Sequence, residues 1–234
     1  VTKHVQLAGA APDDPVILRD LSIAQNIHAS TLMQLNRNSE AVEVARASLE
    51  TADRLLQIAP DDPEHLHDRL VTLNRLGDAQ LALGDNSSAV ESFKAMVEAG
   101  NRLLDVDPYS TPWANDLGLA LERLGNAQSA LGDVAAALKS HQDALALRDW
   151  LVNQDPSNPG WYRNLALSQA SVADALASRE DYEGALPHQD ESLRIMRDLS
   201  AAYPDDVWYK LDVVRALDER AVLLADPTAE NREA

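Results

Sequence analysis

The sequence predicts an all-α protein, a right-handed α-solenoid of stacked antiparallel helix pairs. Prolines recur at a constant spacing of 48 residues, at Pro12, Pro60, Pro108, Pro156 and Pro204. Alanine and leucine dominate while β-branched residues are sparse, which favours helices over strands. Helix caps and breakers recur in the same register. The chain therefore divides into four full repeats and a partial fifth, 12–59, 60–107, 108–155, 156–203 and 204–225.

The first helix of each repeat is predicted to start at an aspartate or asparagine cap followed by proline. Asp14-Pro15, Asp62-Pro63 and Asn158-Pro159 have this form, and the third repeat shifts it to Thr111-Pro112. The cap accepts hydrogen bonds from free backbone N–H groups, and proline is tolerated at the first helical position. After about 20 residues, a left-handed residue is expected to end the helix, at Asn36, Gly84, Gly132 and Glu180.

The second helix of each repeat is predicted to start after an aspartate cap, such as Asp85, Asp133 or Asp181, and to end at the proline column. Connections of about four residues make neighbouring helices antiparallel. A column of small residues lets the helix backbones approach closely: Ala41, Ala89, Ala137 and Ala185. A single helix pair cannot bury its apolar faces, whereas stacked pairs can.

Further residues recur with this period: Leu76-Gly77, Gly84-Asp85, Ala89 and Phe93, closed by Pro108. This pattern resembles the tetratricopeptide repeat. The third repeat copies it, and the first and fourth repeats carry weaker copies. The aromatic residue expected one turn after the Leu-Gly pair is absent, and the period of 48 exceeds the usual 34. The sequence is similar to the long-helix bacterial type of this family, which implies a scaffold for protein interactions.

The two ends of the chain fall outside the complete repeats. Residues 1–11 align with 49–59, and we interpret them as the remnant of a preceding second helix or as an N-terminal strip packed on the first hairpin. Residues 226–234 form a polar tail after the helix-breaking Asp226-Pro227. The repeat region is therefore expected to span 12–225.

The composition excludes several classes of protein. The net charge of −18 disfavours binding to nucleic acid or to anionic membranes. Cysteine is absent, which excludes disulfides and thiolate metal sites. The sequence shows no membrane-spanning stretch and no signal peptide. We expect a cytoplasmic protein, and a periplasmic location stays open if a signal peptide has been removed.

No motif in the sequence indicates catalysis. Glu64 and His67 have the spacing of two metal ligands on a helix, but a di-iron site needs a second such pair. The phosphate-binding, zinc-protease and nucleophile-elbow motifs are absent. We therefore expect no catalytic residue, no cofactor and no metal site.

The resemblance implies that the first helix of each pair lines a concave groove, where three rows of residues point inward. The first row includes Asn26, Asn74 and Glu122, and the row one turn later includes Ser30, Asp78, Asn126 and Asp174. The third row lies two turns before the first and comprises Arg19, His67, Asn115 and Arg163. Amide and carboxylate side chains that packing does not need can bind a peptide, so these residues are the candidate site.

We expect a non-catalytic scaffold that binds a protein or peptide segment in this groove, as the sensor or adaptor part of a larger protein or complex. Two of the rows are acidic and the third is mildly basic, which predicts a basic or amphipathic partner segment. The alternative is a structural solenoid that assembles with itself, end to end or as a homo-oligomer. The oligomeric state and the use of the convex face stay open.

Overall fold

The computed structural model describes residues 13–225, together with Gln6, Gly9 and Ala11. Over residues 13–225 the chain forms nine α-helices and no strand. The helices are α1 (Pro15–Gln34), α2 (Asn38–Ile58), α3 (Pro63–Ala82), α4 (Asn86–Val106), α5 (Thr111–Leu131), α6 (Val134–Gln154), α7 (Pro159–Ala177), α8 (Tyr182–Ala202) and α9 (Val207–Leu224). The prediction of an all-α fold of repeated helix pairs is confirmed.

The helices form two compact units that divide between Leu131 and Gly132. The first unit contains α1–α5 and the second contains α6–α9, and consecutive helices pack on each other within each unit. The division falls between the two helices of the third repeat. The tail 226–234 and most of 1–11, for which the sequence predicts a polar tail and a helix remnant, lie outside the described residues.

The helix ends have the predicted caps. Asp14 Oδ1 accepts hydrogen bonds from the N–H groups of Val16 and Ile17, at 3.0 and 3.2 Å. Asp62 and Asn158 cap α3 and α7 in the same way. Left-handed backbone follows each first helix at the four predicted positions, with φ of 57° at Asn36, 77° at Gly84, 89° at Gly132 and 61° at Glu180. These local signals set the helix boundaries. The cap side chains accept hydrogen bonds from the free N–H groups at the start of a helix, and the left-handed residues end the helical backbone.

The core of each unit lies between the apolar faces of neighbouring helices. In the first unit, Leu66 and Leu70 of α3 pack with Phe93 and Met96 of α4. Gly77 of α3 lies against the Phe93 ring, so that a Cβ atom at residue 77 would come within 2.5 Å of two ring carbons. In the second unit, residues of α6, α7 and α8 form one cluster, which includes Val152, Leu165 and Met196. None of the described helices has the length and hydropathy needed to cross a membrane.

A candidate partner-binding recess between α1 and α3

Helices α1 and α3, the first helices of repeats one and two, contact each other directly through polar side chains. Arg19 Nε donates to Asp68 Oδ2 at 2.8 Å, and Asn26 Nδ2 donates to Thr72 Oγ1 at 2.8 Å. These bonds hold the two helices side by side and leave an open recess along them.

The recess has a volume of about 370 Å³. One part of its wall is aliphatic and consists of Ile23, Ile27 and Val71. The side chain of Ile27 is exposed, with 64% of its surface accessible. The rest of the wall is polar: Ser22, Asn26, Ser30, Thr31, Gln34, Asp68 and Arg75. An accessible aliphatic surface beside polar groups is the usual character of a peptide-binding site.

Arg75 is a cation that lines the recess, and among the described residues it forms no ion pair. One repeat later, Arg123 Nη1 forms an ion pair with Asp78 Oδ1 at 3.3 Å. Forty-eight residues earlier, the same two columns hold Arg75 and Ser30. The serine carries no charge, so the exchange of aspartate for serine leaves Arg75 without the ion pair to the preceding first helix that Arg123 forms with Asp78.

The carboxylate of Asp78 is largely buried, with 16% of its side chain accessible. Burial raises its pKa, and the nearby Arg123 and Arg75 guanidinium groups act in the opposite direction. Asp78 is thus part of an inter-helix ion pair rather than a free acidic group. Its charge is already balanced before any partner binds.

The residues of the predicted basic row contact the neighbouring repeat. Besides its bond to Asp68, Arg19 forms an ion pair with Glu64, and His67 Nε2 lies 3.4 Å from Asp116 Oδ2. The hydrogen bond with Asp116 raises the pKa of His67.

In the second unit, Arg163 donates to both carboxylate oxygens of Asp212, at 2.6 and 3.2 Å. Each of the pairs to Asp68, Asp116 and Asp212 joins a residue of one first helix to the residue 49 positions later. This row therefore fastens consecutive first helices.

The other predicted residues occupy several environments. Asn26 and Asn74 each have a buried Oδ1 atom without a hydrogen-bond partner among the described residues. Burial raises the pKa of Asp174 on α7, and Glu219 adds to this effect. On α5, Asn126 is exposed whereas Asn115 and Glu122 are half-buried.

Of the predicted residues, the recess brings together Asn26 and Ser30. The sequence analysis missed Arg75 and Ile27, which lie in one column directly after Asn26 and Asn74. An available signal was Ile27 itself, an aliphatic residue in a column that holds Arg75 and Arg123 in the next two repeats. Among the described residues, no group of three His, Asp or Glu side chains is arranged to hold a metal ion.

Comparison with known proteins places the chain among helical repeat proteins. Residues 120–157 match the family model of the tetratricopeptide repeat. The crystal structure of BtubC (BKLC) from P. vanneervenii is similar over 96% of this chain and 88% of its own, with a TM-score of 0.61 and 14% identity.

The nearly identical TPR-like repeats of a kinesin light chain from Podosopora anserina are similar over 93% of this chain and 99% of theirs, with a TM-score of 0.57 and 16% identity. At these identities the likeness concerns the fold. No curated protein sequence matches the chain. The matched repeat at 120–157, the helix pairs and the structural likeness agree, and the chain has a TPR-like helical repeat fold.

Proposed function

We propose that this chain is a non-catalytic interaction module that binds an amphipathic segment of a partner protein in the recess between α1 and α3. The observation that carries the proposal is the combination of an exposed aliphatic wall with the guanidinium of Arg75, which forms no ion pair among the described residues. Contiguous exposed apolar patches rimmed by polar groups often mark interaction sites on protein surfaces.

The chemistry of the recess defines the segment. Aliphatic side chains of the partner cover Ile23 and Ile27, and a carboxylate or carbonyl oxygen accepts hydrogen bonds from Arg75. Ser30 and Gln34 offer further hydrogen bonds at the edge. The amide of Asn26 belongs to the wall rather than to the binding groups, because its Nδ2 already donates to Thr72 and its Oδ1 is buried.

Charge acts at two ranges in this proposal. The net charge of −18 attracts a partner protein with a positive surface, and salt weakens this attraction. At the recess itself, Arg75 favours an acidic group. The partner segment is therefore amphipathic with an acidic position at Arg75, even when the surrounding protein is basic.

Selection from a displayed library of random peptides tests the proposal. We expect enriched peptides to combine aliphatic residues at helical or alternating spacing with one acidic residue. Ser30→Asp places a carboxylate where Asp78 pairs with Arg123 one repeat later, and it should neutralise Arg75. We expect this substitution to weaken binding about tenfold, which corresponds to ~1.4 kcal/mol.

Ser39→Asp is the matched control, because Ser39 is exposed on α2 and does not line the recess. It adds the same charge and should change the affinity less than twofold. Equal weakening by both substitutions would show a general charge effect. Failure to enrich any peptide, or full binding to the Ser30→Asp variant, would contradict the proposed site.

A further inference from the structure

A second recess lies within the fourth repeat, beside the loop 155–158 that joins α6 to α7. It has a volume of about 530 Å³ and extends between this loop, the start of α7 and the C-terminal half of α8. Helix α7 also packs on α6, and α8 also packs on α9, so the recess lies within the row of helices rather than at its end. Most of its wall is apolar and consists of Pro156, Pro159, Tyr162, Ile195, Leu199 and Tyr203.

In the second repeat, an arginine of the chain itself fills the corresponding place. Arg102 Nη2 of α4 donates to the carbonyl oxygen of Pro60 at 2.5 Å and to Asp61 Oδ1 at 3.3 Å. In the first repeat, Arg54 of α2 lies 3.8 Å from Asp13 in the same loop. Two repeats therefore place a guanidinium group between the second helix and the loop that precedes the first helix.

The fourth repeat keeps the proline of this loop, as Pro156, but has Asp198 where the second repeat has its arginine. Ser157 replaces the aspartate of the loop, and its hydroxyl group donates to Asp155 Oδ1 at 2.6 Å. Among the described residues, the carbonyl oxygen of Pro156 accepts no hydrogen bond. The exchange thus removes the cation and keeps the oxygen that it binds.

The polar rim of this recess carries an excess of negative charge. Arg194 donates to both carboxylate oxygens of Glu191, at 2.8 and 2.6 Å, and its Nη1 donates to Asp198 Oδ2 at 2.7 Å. Two carboxylates and one guanidinium leave one net negative charge on these three side chains. Asp198 is well exposed, with 69% of its side chain accessible, so its carboxylate can accept a further hydrogen bond.

These groups together match the chemistry of an arginine side chain. A guanidinium has five N–H donors in a planar fork, which can reach the carbonyl oxygen of Pro156 and the carboxylate of Asp198 together. Its flat faces also pack favourably on aromatic rings, which Tyr162 and Tyr203 supply. Tyr203 is 43% accessible, so a side chain from outside can contact it.

We propose that this recess binds an arginine side chain of a partner protein, in the place that Arg102 takes in the second repeat. The guanidinium donates to Pro156 and Asp198, and apolar residues beside that arginine cover Tyr203. A lysine carries the same charge but lacks the planar fork, so it binds less well. The proposal is independent of the recess between α1 and α3, where Arg75 favours an acidic group.

A second copy of the chain is not the proposed occupant. Each copy carries a net charge of −18, so two copies repel each other at long range. The same charge attracts a basic partner and raises its rate of association. The occupant is therefore a basic segment of a different protein.

The probe for the test is a five-residue peptide with one arginine between two prolines on each side, since proline keeps the peptide extended. Two matched peptides carry lysine or the uncharged citrulline in place of the arginine. We expect the arginine peptide to bind the intact, isotope-labelled chain with a dissociation constant on the order of 1 mM and to shift the NMR amide signals of Ser157 and Ala202. The lysine peptide should bind about threefold more weakly, and the citrulline peptide at least about tenfold more weakly.

The double substitution Ser157→Asp and Asp198→Arg copies the loop pair of the second repeat. It should abolish binding of the arginine peptide while the circular dichroism spectrum stays that of the native chain, because the chain's own guanidinium then fills the recess. Asp198→Asn should weaken binding about three- to fivefold. Glu183→Arg is the matched control, because Glu183 is exposed on α8 and does not line the recess. It should leave the affinity within about twofold.

Four results would overturn the proposal. The first is that the arginine peptide does not bind at about 10 mM. The second is equal binding of the arginine and citrulline peptides, since the recess would then not recognise a cation. The third is full binding to the double variant, which would place the peptide elsewhere. The fourth is self-association of the chain, measured by sedimentation velocity and abolished in the double variant, since this would identify an arginine of a second copy as the occupant.

Discussion

Gly77→Ala is expected to destabilise the second repeat, although alanine is a better helix former than glycine. A Cβ atom on residue 77 would lie 2.5 Å from two ring carbons of Phe93, well inside van der Waals contact. Phe93 is fully buried, so its ring has no open space to enter. Overpacking of this kind costs about 1–3 kcal/mol, whereas the higher helix propensity of alanine returns ~1 kcal/mol at most. We expect a net loss of up to about 2 kcal/mol.

The sign should reverse when the ring is removed. Phe93→Ala alone costs about 3–5 kcal/mol, because it opens a cavity in the core. In that background the new methyl group on residue 77 no longer meets an aromatic ring. The pair then resembles Ala29 and Ala45, which pack in one cluster of the first repeat. Gly77→Ala should now stabilise the protein by ~0.5–1 kcal/mol.

Hydrogen exchange of the α3 amides is the measurement, because repeats contact only their neighbours and open locally. Protection of α3 should fall with Gly77→Ala in the natural sequence and rise with the same substitution beside Phe93→Ala. Stabilisation in the natural sequence, or an equal cost in both backgrounds, would refute the reasoning about the Gly77–Phe93 contact.

Three further predictions concern other contacts. Asp116 raises the folded-state pKa of His67, so their pair should stabilise the protein fully below pH ~6.5 and lose this effect as the pH rises through the raised pKa. In the Asp116→Asn variant, the melting temperature should therefore change less with pH across this window. Asp212→Asn weakens the bidentate bond to Arg163 and should lower the protection of α9 amides by about 1–2 kcal/mol, whereas unchanged exchange would contradict this role. Glu180→Gly relieves a left-handed φ of 61° and should raise the urea midpoint by the equivalent of ~1 kcal/mol, and an unchanged midpoint would contradict this.

The helical repeat could be predicted from the sequence because its signals are local. Asp14 and Asp62 cap helices through bonds to residues two and three positions later. The left-handed ends at Gly84 and Gly132 follow from glycine's tolerance of positive φ at the end of a helix. Recurrence with a period of 48 residues reinforced each of these signals. The fold class and the helix boundaries were therefore accessible without coordinates.

The candidate site was harder to predict because it depends on contacts between repeats. The sequence placed Arg19 in a row that lines a groove but did not show its ion pair with Asp68 of the next first helix. This pairing depends on the rotation between repeats, which the spacing does not encode. Arg75 escaped notice for the same reason, since the absence of a carboxylate at Ser30 becomes informative only beside the Arg123–Asp78 pair.

Site-specific photocrosslinking from residue 27 in the source cell tests the central claim most directly. A photoreactive amino acid replaces Ile27 in one protein and Ile58, which is exposed at the end of α2, in a matched control. The account predicts a covalent adduct with a partner protein from position 27 that is absent from position 58 and is lost when Ser30→Asp is added. Adducts that form equally from both positions, or that persist with Ser30→Asp, would contradict the claim that the α1–α3 recess binds the partner.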